Sequence, residues 1–287
     1  MVMTRTLDSQ NLSVGELSSE QDNVTWQWQT QEGLPYLTCS LLEPWPHGFF
    51  TKHFSPRTPA DLVQELHSSA KVFRVKQVHG NTVVKTGNIT PVADNGVISS
   101  LDTYVEADGI ITEAETEAVW VCSADCVPAL IADSETGQVA AVHAGWRGTA
   151  SKIVPEAIAQ FLAQGSRVEN LRVALGPAIT GEVYQVSLDV VEKLGYTIAP
   201  NQEIKNTEEL IEYLYQLPQT PILADTEPGK IRVDVRRFNL LQLEQLGMKA
   251  SQSAIAPFCT FQTPDYFCSY RRDNLKKVQW SGIVSVK

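Results

Sequence analysis

From residue 24 the chain alternates. VTWQWQTQ puts an apolar side chain at every second position, EG offers a turn, and LPYLTCSLL resumes the pattern, which predicts a β-hairpin. EPWPHGFFTKHFSPRTPADLVQELHSSA predicts a proline-rich loop, a short strand and a modest helix. In KVFRVKQVHGNTVVKTG two β-branched runs flank His79-Gly80-Asn81, which predicts strand, turn, strand. Residues 106–146, EADGIITEAETEAVWVCSADCVPALIADSETGQVAAVHAGW, hold three apolar runs that suit buried strands. SKIVPEAIAQFLAQG is apolar at Ile153, Ala157, Ile158, Phe161 and Leu162, a helical spacing stopped by Gly165. LRVALGPAI predicts a strand entering a Gly-Pro loop. SLDVVEKLG, NTEELIEYLYQL and VDVRRFNLLQLEQLGM predict helices, and AIAPFCTF and WSGIVSVK predict strands. The sum is one α/β domain over residues 23–287, a mixed sheet with flanking helices. Residues 1–22, rich in Ser, Gln, Asp and Glu, are predicted to be a flexible leader.

The chain of 287 residues is 43% hydrophobic, enough for a large core. No apolar run reaches the ~18 residues of a membrane span. The N-terminus has no apolar segment of the signal-peptide kind, so a cytoplasmic location is expected. A formal charge of −10 argues against a nucleic-acid-binding surface. It leaves a small anionic substrate open, because a few arginines can dominate locally. Five scattered cysteines do not form a disulfide framework. Nor do the pairs Cys122/Cys126 and Cys259/Cys268 match a four-cysteine zinc module, so a metal site would need histidines.

Let VPALIAD and QVAAVHA pair antiparallel with Asp133 opposite Gln138. Pro128 then faces His143, and Cys126 shares that face, diagonal to His143 at ~7–8 Å. A slip of one residue would separate them. The alternative is a small buried hydrophobe and a hydrogen-bonded core histidine. His79, at a strand end before a glycine, is the candidate third ligand; His47, His53 and His67 are the others, with His67 on a helix face toward solvent. A Cys/His/His set suits zinc and leaves one coordination position open. Asp125 reads either as the carboxylate that orients a ligand histidine or as a strand-end residue. Gly145-Trp-Arg-Gly-Thr149 leads into a helix whose first N–H groups, beside Arg147, offer a phosphate pocket, although the P-loop pattern is absent. The alternative is that those glycines serve the turn alone, with Arg147 on the surface. Ser269-Tyr-Arg-Arg-Asp273 adds a second dibasic segment.

QVHG at 77–80, ADGIIT at 107–112, SADCVPALIAD at 123–133, HAGWRGT at 143–149, LGPAI at 175–179 and SYRRD at 269–273 resemble the laccase-domain family. Its members were first labelled multi-copper polyphenol oxidoreductases and are now regarded as purine nucleoside phosphorylases. The resemblance runs from about residue 45 to the end. It implies a single α/β domain related to a group of putative cysteine hydrolases, and zinc, with copper possible, held by His79, Cys126 and His143. It implies phosphorolysis of adenosine, inosine, guanosine and methylthioadenosine, and hydrolytic deamination of adenosine. Asp125 is then the candidate general acid, and Arg147, Gln77, Lys52 and Arg271 are the candidate contacts to substrate or phosphate. The expected partners are purine nucleosides and phosphate, without nucleic acid or membrane; the oligomeric state stays open.

The chain departs from the family pattern in three places. FFTKHFSPRTPADL replaces a stretch that usually carries paired glycines, and Lys52 stands where arginine is typical, keeping the charge and losing the bidentate fork. NLKKVQWSG follows SYRRD in place of a Gly and T-G-R, and Val183 stands where the family has a cysteine. Three alternatives follow: a metal-free hydrolase with Cys126 as nucleophile and His143 as base, a copper oxidase, and a catalytically altered descendant. Five histidines and three methionines are too few for a conventional multi-copper laccase, though one copper could occupy the trio.

Overall fold

The computed structural model describes residues 24–92, 104–200 and 204–286; the leader expected at 1–22 lies outside them. Three sheets form. The first runs, in spatial order, β1 (Trp26–Gln31), β2 (Leu34–Cys39), β3 (His47–Phe50), β15 (Gln279–Val284), β7 (Glu117–Ser123) and β4 (Lys71–Arg74). The second runs β14 (Ser253–Ile255), β10 (Leu171–Leu175), β8 (Val127–Asp133), β9 (Val139–Ala144), β6 (Gly109–Ile111) and β5 (Val83–Lys85). A small third sheet is β11 (Gln185–Ser187), β13 (Lys230–Val233) and β12 (Ile222–Ala224). Both large sheets are mixed: β4 runs parallel to β7, β10 to β14 and β5 to β6, and the other pairs are antiparallel.

The two large sheets pack face to face. Val119, Val121 and Ile283 of the first meet Leu130, Ala132, Val139 and Ala141 of the second in one buried cluster. The opposite face of the first sheet, with Trp120 and Val284, is covered by Leu62 and Val63 of α1 (Pro59–Leu66). The opposite face of the second, with Ile131, Ala140 and Val142, is covered by α3 (Ile153–Ala163), α4 (Leu188–Gly195), α5 (Thr207–Gln216) and α6 (Val235–Gln245). Short helices α2 (Trp146–Ala150) and α7 (Tyr270–Asp273) complete the domain. The single mixed α/β domain is thus as expected, but its sheet is two sheets and a third small one. The central stretch gives four strands, β6 to β9, where three apolar runs were expected. Strands buried on both faces lose their alternation, so their pattern carries no information on which sheet each joins. AIAPFCTF is a strand only as far as Ile255; the rest is loop, entered through Pro257, which has no N–H to give a ladder.

Topology places the chemistry. The chain crosses from the first sheet to the second twice, between β4 and β5 and between β7 and β8. Because β4 parallels β7, and β5 and β6 run alongside each other and antiparallel to β9 as β8 does, both crossings lie at one end of the sandwich, where β9 also finishes. His79, Cys126 and His143 sit on these three segments.

His47 is a structural histidine. Its buried ring accepts from the Cys39 N–H at 2.9 Å through Nε2, and Nδ1 donates to the Trp45 carbonyl at 2.8 Å. Burial lowers its pKa below the usual 6.5 and keeps it neutral. The unfolded chain takes up this proton as pH falls below 6.5 and the folded chain does not, so His47 costs stability between 6.5 and its depressed folded value. His47→Leu is expected to destabilise by ~1–3 kcal/mol at pH 7.5, since it strands the buried Cys39 N–H. The gap from wild type should narrow at pH 5.5. Urea midpoints at the two pH values check this.

Candidate metal centre

The β8–β9 hairpin has the expected register: Pro128 pairs with His143, and the Asp133 N–H donates to Gln138. Asp133 and Gly137, with φ at +74°, close the turn. Val127 pairs with Ala144, so one further step sets Cys126 across from Gly145 and diagonal to His143. A Cβ on Gly145 would lie 2.8 Å from Cys126 Sγ and 3.5 Å from His79 Cδ2. The glycine therefore leaves the space in which the thiol and the second imidazole sit.

The potential ligand atoms of His79, Cys126 and His143 all lie within 4.8 Å of one another, and the two imidazoles meet edge to face with centroids 4.9 Å apart. Among the described residues this is the one group of three or more His, Cys, Asp or Glu side chains so placed. His143 is buried, Cys126 half-buried and His79 exposed, so the group opens to solvent on the His79 side.

Asp108, which sequence reasoning did not single out, organises the centre. Fully buried, it precedes β6 and lies opposite His143: its carbonyl accepts the His143 N–H at 2.7 Å, and its Oδ1 accepts from His143 Nδ1 at 2.9 Å. That bond sets the tautomer and leaves His143 Nε2 for a ligand. The same carboxylate receives three successive main-chain N–H groups, from Val78 at 3.1 Å, His79 at 2.9 Å and Gly80 at 2.7 Å. They converge because His79 adopts φ of +62°, turning the segment into a concave anion nest. Burial opposes the charge on Asp108, but His143 and the Gly80 and Val78 amides outweigh it and hold the carboxyl below its ordinary range. One buried charge thus fixes two of the three segments that carry the trio.

Electrostatics favour a thiolate. Burial raises the Cys126 pKa, yet His143 and His79 more than compensate and bring it to about 6. For His143, burial works against protonation, while the Cys126 sulfur and the Asp108 carboxylate raise it to about 9. Two imidazoles and a thiolate within one small sphere, one imidazole oriented by a carboxylate, form a donor set that suits zinc and also accepts a single copper.

The family profile described as multi-copper polyphenol oxidoreductase laccase matches residues 57–284. The chain belongs to this family. The chain is 50% identical over 262 residues to a Synechocystis protein named purine nucleoside phosphorylase slr1573, an alignment covering 91% of this chain and 97% of that one. Adenosine deaminase RL5, from an unknown prokaryotic organism, is 30% identical over 165 residues, covering 58% of this chain and 56% of its own length. In fold, the chain superposes on the crystal structure of YlmD from Geobacillus stearothermophilus with a TM-score of 0.73 at 24% identity, covering 91% of this chain and 99% of that one.

The remaining family-motif residues divide into a rim and a frame. Arg147 is exposed on α2 with its guanidinium 4.5 Å from the Trp146 ring. Gly148 brings α2 onto the His79 turn: a Cβ there would lie 2.9 Å from the Gly80 carbonyl. Arg271 lies over the Tyr184 ring at 4.8 Å, its Nη1 donates to Gln185, and its main-chain N–H donates to Asp125 at 2.7 Å. Tyr184, also missed in the sequence, is within electrostatic range of Cys126, Arg271, Asp125 and Arg147; burial, then the charge on Cys126, pushes its hydroxyl to about 12, so it stays protonated.

Asp125 does not orient a histidine; that carboxylate is Asp108. The Asp125 oxygens accept instead from Thr260 Oγ1 and the Arg271 N–H, both at 2.7 Å, and its carbonyl accepts from Ile179. With φ of +82° it makes the corner that aims Cys126. Gln77 belongs to the frame as well, its amide clamping the Cys122 main chain through both ends at 2.7 and 2.8 Å. Lys52 is tied to the Pro264 carbonyl. His67 ends α1 exposed, and His53 bonds Thr51, so neither joins the trio.

Gly145→Ala is expected to weaken metal binding by at least about tenfold with the fold retained, because the added methyl displaces the thiol against close-packed neighbours. Chelator-competition titration beside a thermal melt checks both halves.

Proposed function

We propose that this chain is a metal-dependent purine nucleoside phosphorylase that also deaminates adenosine. The observation that carries the reading is the His79/Cys126/His143 cluster locked by Asp108, in a chain whose relatives bear those two names. Zinc bound by the trio would supply Lewis acidity, and with it a water acidic enough to act near neutral pH.

The chain's own residues supply the rest. Arg147 and Arg271 give the opening two guanidiniums in an otherwise acidic protein, suited to a phosphate that attacks the ribose anomeric carbon as the base leaves. The Tyr184 hydroxyl, protonated across the working range, donates a hydrogen bond or proton to the departing purine. Asp125, with both oxygens accepting, is assigned a positioning role and not the acid's: it holds the Arg271 segment beside the Cys126 corner. In deamination water replaces the C6 amine and ammonia leaves.

The experiment is chromatography of adenosine incubated with the protein, with and without phosphate, beside Cys126→Ala. Adenine only with phosphate, inosine without it, and neither from the variant are the expected results. Unchanged adenosine, with inosine and guanosine also untouched, removes the reading.

A second reading rests on a specific observation. Cys126, His143 and Asp108 form a thiolate–imidazolium–carboxylate series of the kind that cysteine hydrolases use. If it holds, metal-stripped protein stays active and is inactivated by alkylation at Cys126 alone.

A further inference from the structure

Behind Asp125 lies a cavity of about 360 Å³, whose walls include Thr180, Glu182, Asp234, Arg237, Cys259 and Thr263. Neither the metal trio nor Arg147, Tyr184 or Arg271 lines it. A single layer of chain separates the two places: Ile179 donates to the Asp125 carbonyl, Thr180 donates to Cys259 Sγ at 3.4 Å, and Thr260 donates to the Asp125 carboxylate. The volume falls in the lower part of the ~300–1,000 Å³ usual for small-molecule sites.

Its charges are unevenly satisfied. Asp234 takes Arg236 in a bidentate pair at 3.0 and 2.6 Å, and a third Arg236 donor reaches the Ala256 carbonyl. Glu182 receives the Gln262 amide at 3.1 Å. Arg237 differs. Its Nε and Nη2 both donate to the one carbonyl of Gln219, at 3.3 and 3.2 Å, and its Nη1 has no partner among the described residues. No carboxylate of the described residues lies within ion-pair distance of it; Glu244 and Asp234 act only at longer range. Half-burial lowers its pKa, the mark of a charge without close compensation. The Thr263 hydroxyl, on the same wall, also has no hydrogen bond within the described chain. A guanidinium with an open donor edge selects a planar or tetrahedral oxyanion.

We propose that this cavity is a second small-molecule site, independent of the nucleoside reading, for a compact metabolite carrying one carboxylate or phosphate group anchored on Arg237. The probes are inorganic phosphate and acetate, each against chloride at equal ionic strength, with hydrogen exchange followed by mass spectrometry in the segments 219–224 and 257–263. At half-saturation, mass action slows exchange from the cavity walls about twofold. The slowing is expected in wild type and in Cys126→Ser, where the metal centre is disabled, and is expected to vanish in Arg237→Gln. Slowing by phosphate alone assigns a phosphoryl ligand; slowing by acetate as well assigns a carboxylate. If neither anion slows exchange in wild type, or if the slowing survives in a folded Arg237→Gln, the proposal is wrong. A null result in wild type needs no variant, so it refutes the proposal even where Arg237→Gln does not fold. Because Cys126→Ser retains the effect, failure of the nucleoside reading leaves this result untouched.

Discussion

Cys126→Ser is expected to lower nucleoside turnover at least about a hundredfold while leaving the thermal melt within a few degrees of wild type. The two halves have separate causes. Cys126 lies one residue outside the β8–β9 ladder and is half-buried, so its oxygen analogue removes no core contact. The chemical change is large, because the sulfur is the soft, anionic member of the trio and ionises near pH 6, where a serine hydroxyl stays neutral. Outer-shell partners alone are worth ~10–100-fold in metal affinity, so loss of a direct ligand sets that range as a floor. The variant should also let His143 fall from about 9 toward ordinary histidine behaviour, since the Cys126 charge is the main influence raising it. Metal content by mass spectrometry, turnover and a melt on one preparation check all of this; unchanged turnover with full metal content removes Cys126 from the site.

Asp108→Asn should produce the opposite balance, a severe loss of stability accompanying the loss of function. The carboxylate accepts from Val78, His79 and Gly80 N–H groups and from His143, all in a fully buried position. An amide offers one acceptor oxygen, so its NH₂ must confront main-chain donors whichever way it turns. Removing one partner of a buried charged network costs ~3–5 kcal/mol. Metal affinity should fall ~10–100-fold in the fraction that folds, because His143 loses the bond that fixes its tautomer. Urea unfolding of metal-free protein separates the two effects: Asp108→Asn shifts the midpoint far down and Cys126→Ser does not. Equal midpoints for wild type and Asp108→Asn would mean that the carboxylate is not the anchor described.

What could be read in advance follows from which contacts are local. The pairing of Pro128 with His143 was legible because a short turn fixes the register, and register fixes the face. His79 was legible only as a histidine ending a strand before a glycine; its left-handed backbone and its place beside β6 depend on partners far along the chain. Asp108 stood in plain view in ADGIIT, but its role appears only when β6 is known to pair with β9, and two fully buried strands advertise no partner. Asp125 misled for the same reason. It neighbours Cys126 in sequence, whereas the carboxylate on the histidine comes from the residue that precedes β6. Tyr184 and Gln77 show the limit from the other side, one recruited and one withdrawn by loops and main chain that no spacing rule connects.

The most direct test of the account is turnover of adenosine and inosine, with phosphate, by protein stripped of metal and then reloaded with zinc or with copper. The expected result is loss of both phosphorolysis and deamination on stripping and recovery on reloading in wild type, with no recovery in Cys126→Ser. Full activity in stripped wild-type protein would contradict the metal centre and leave Cys126, His143 and Asp108 to be explained as the parts of a metal-free hydrolase.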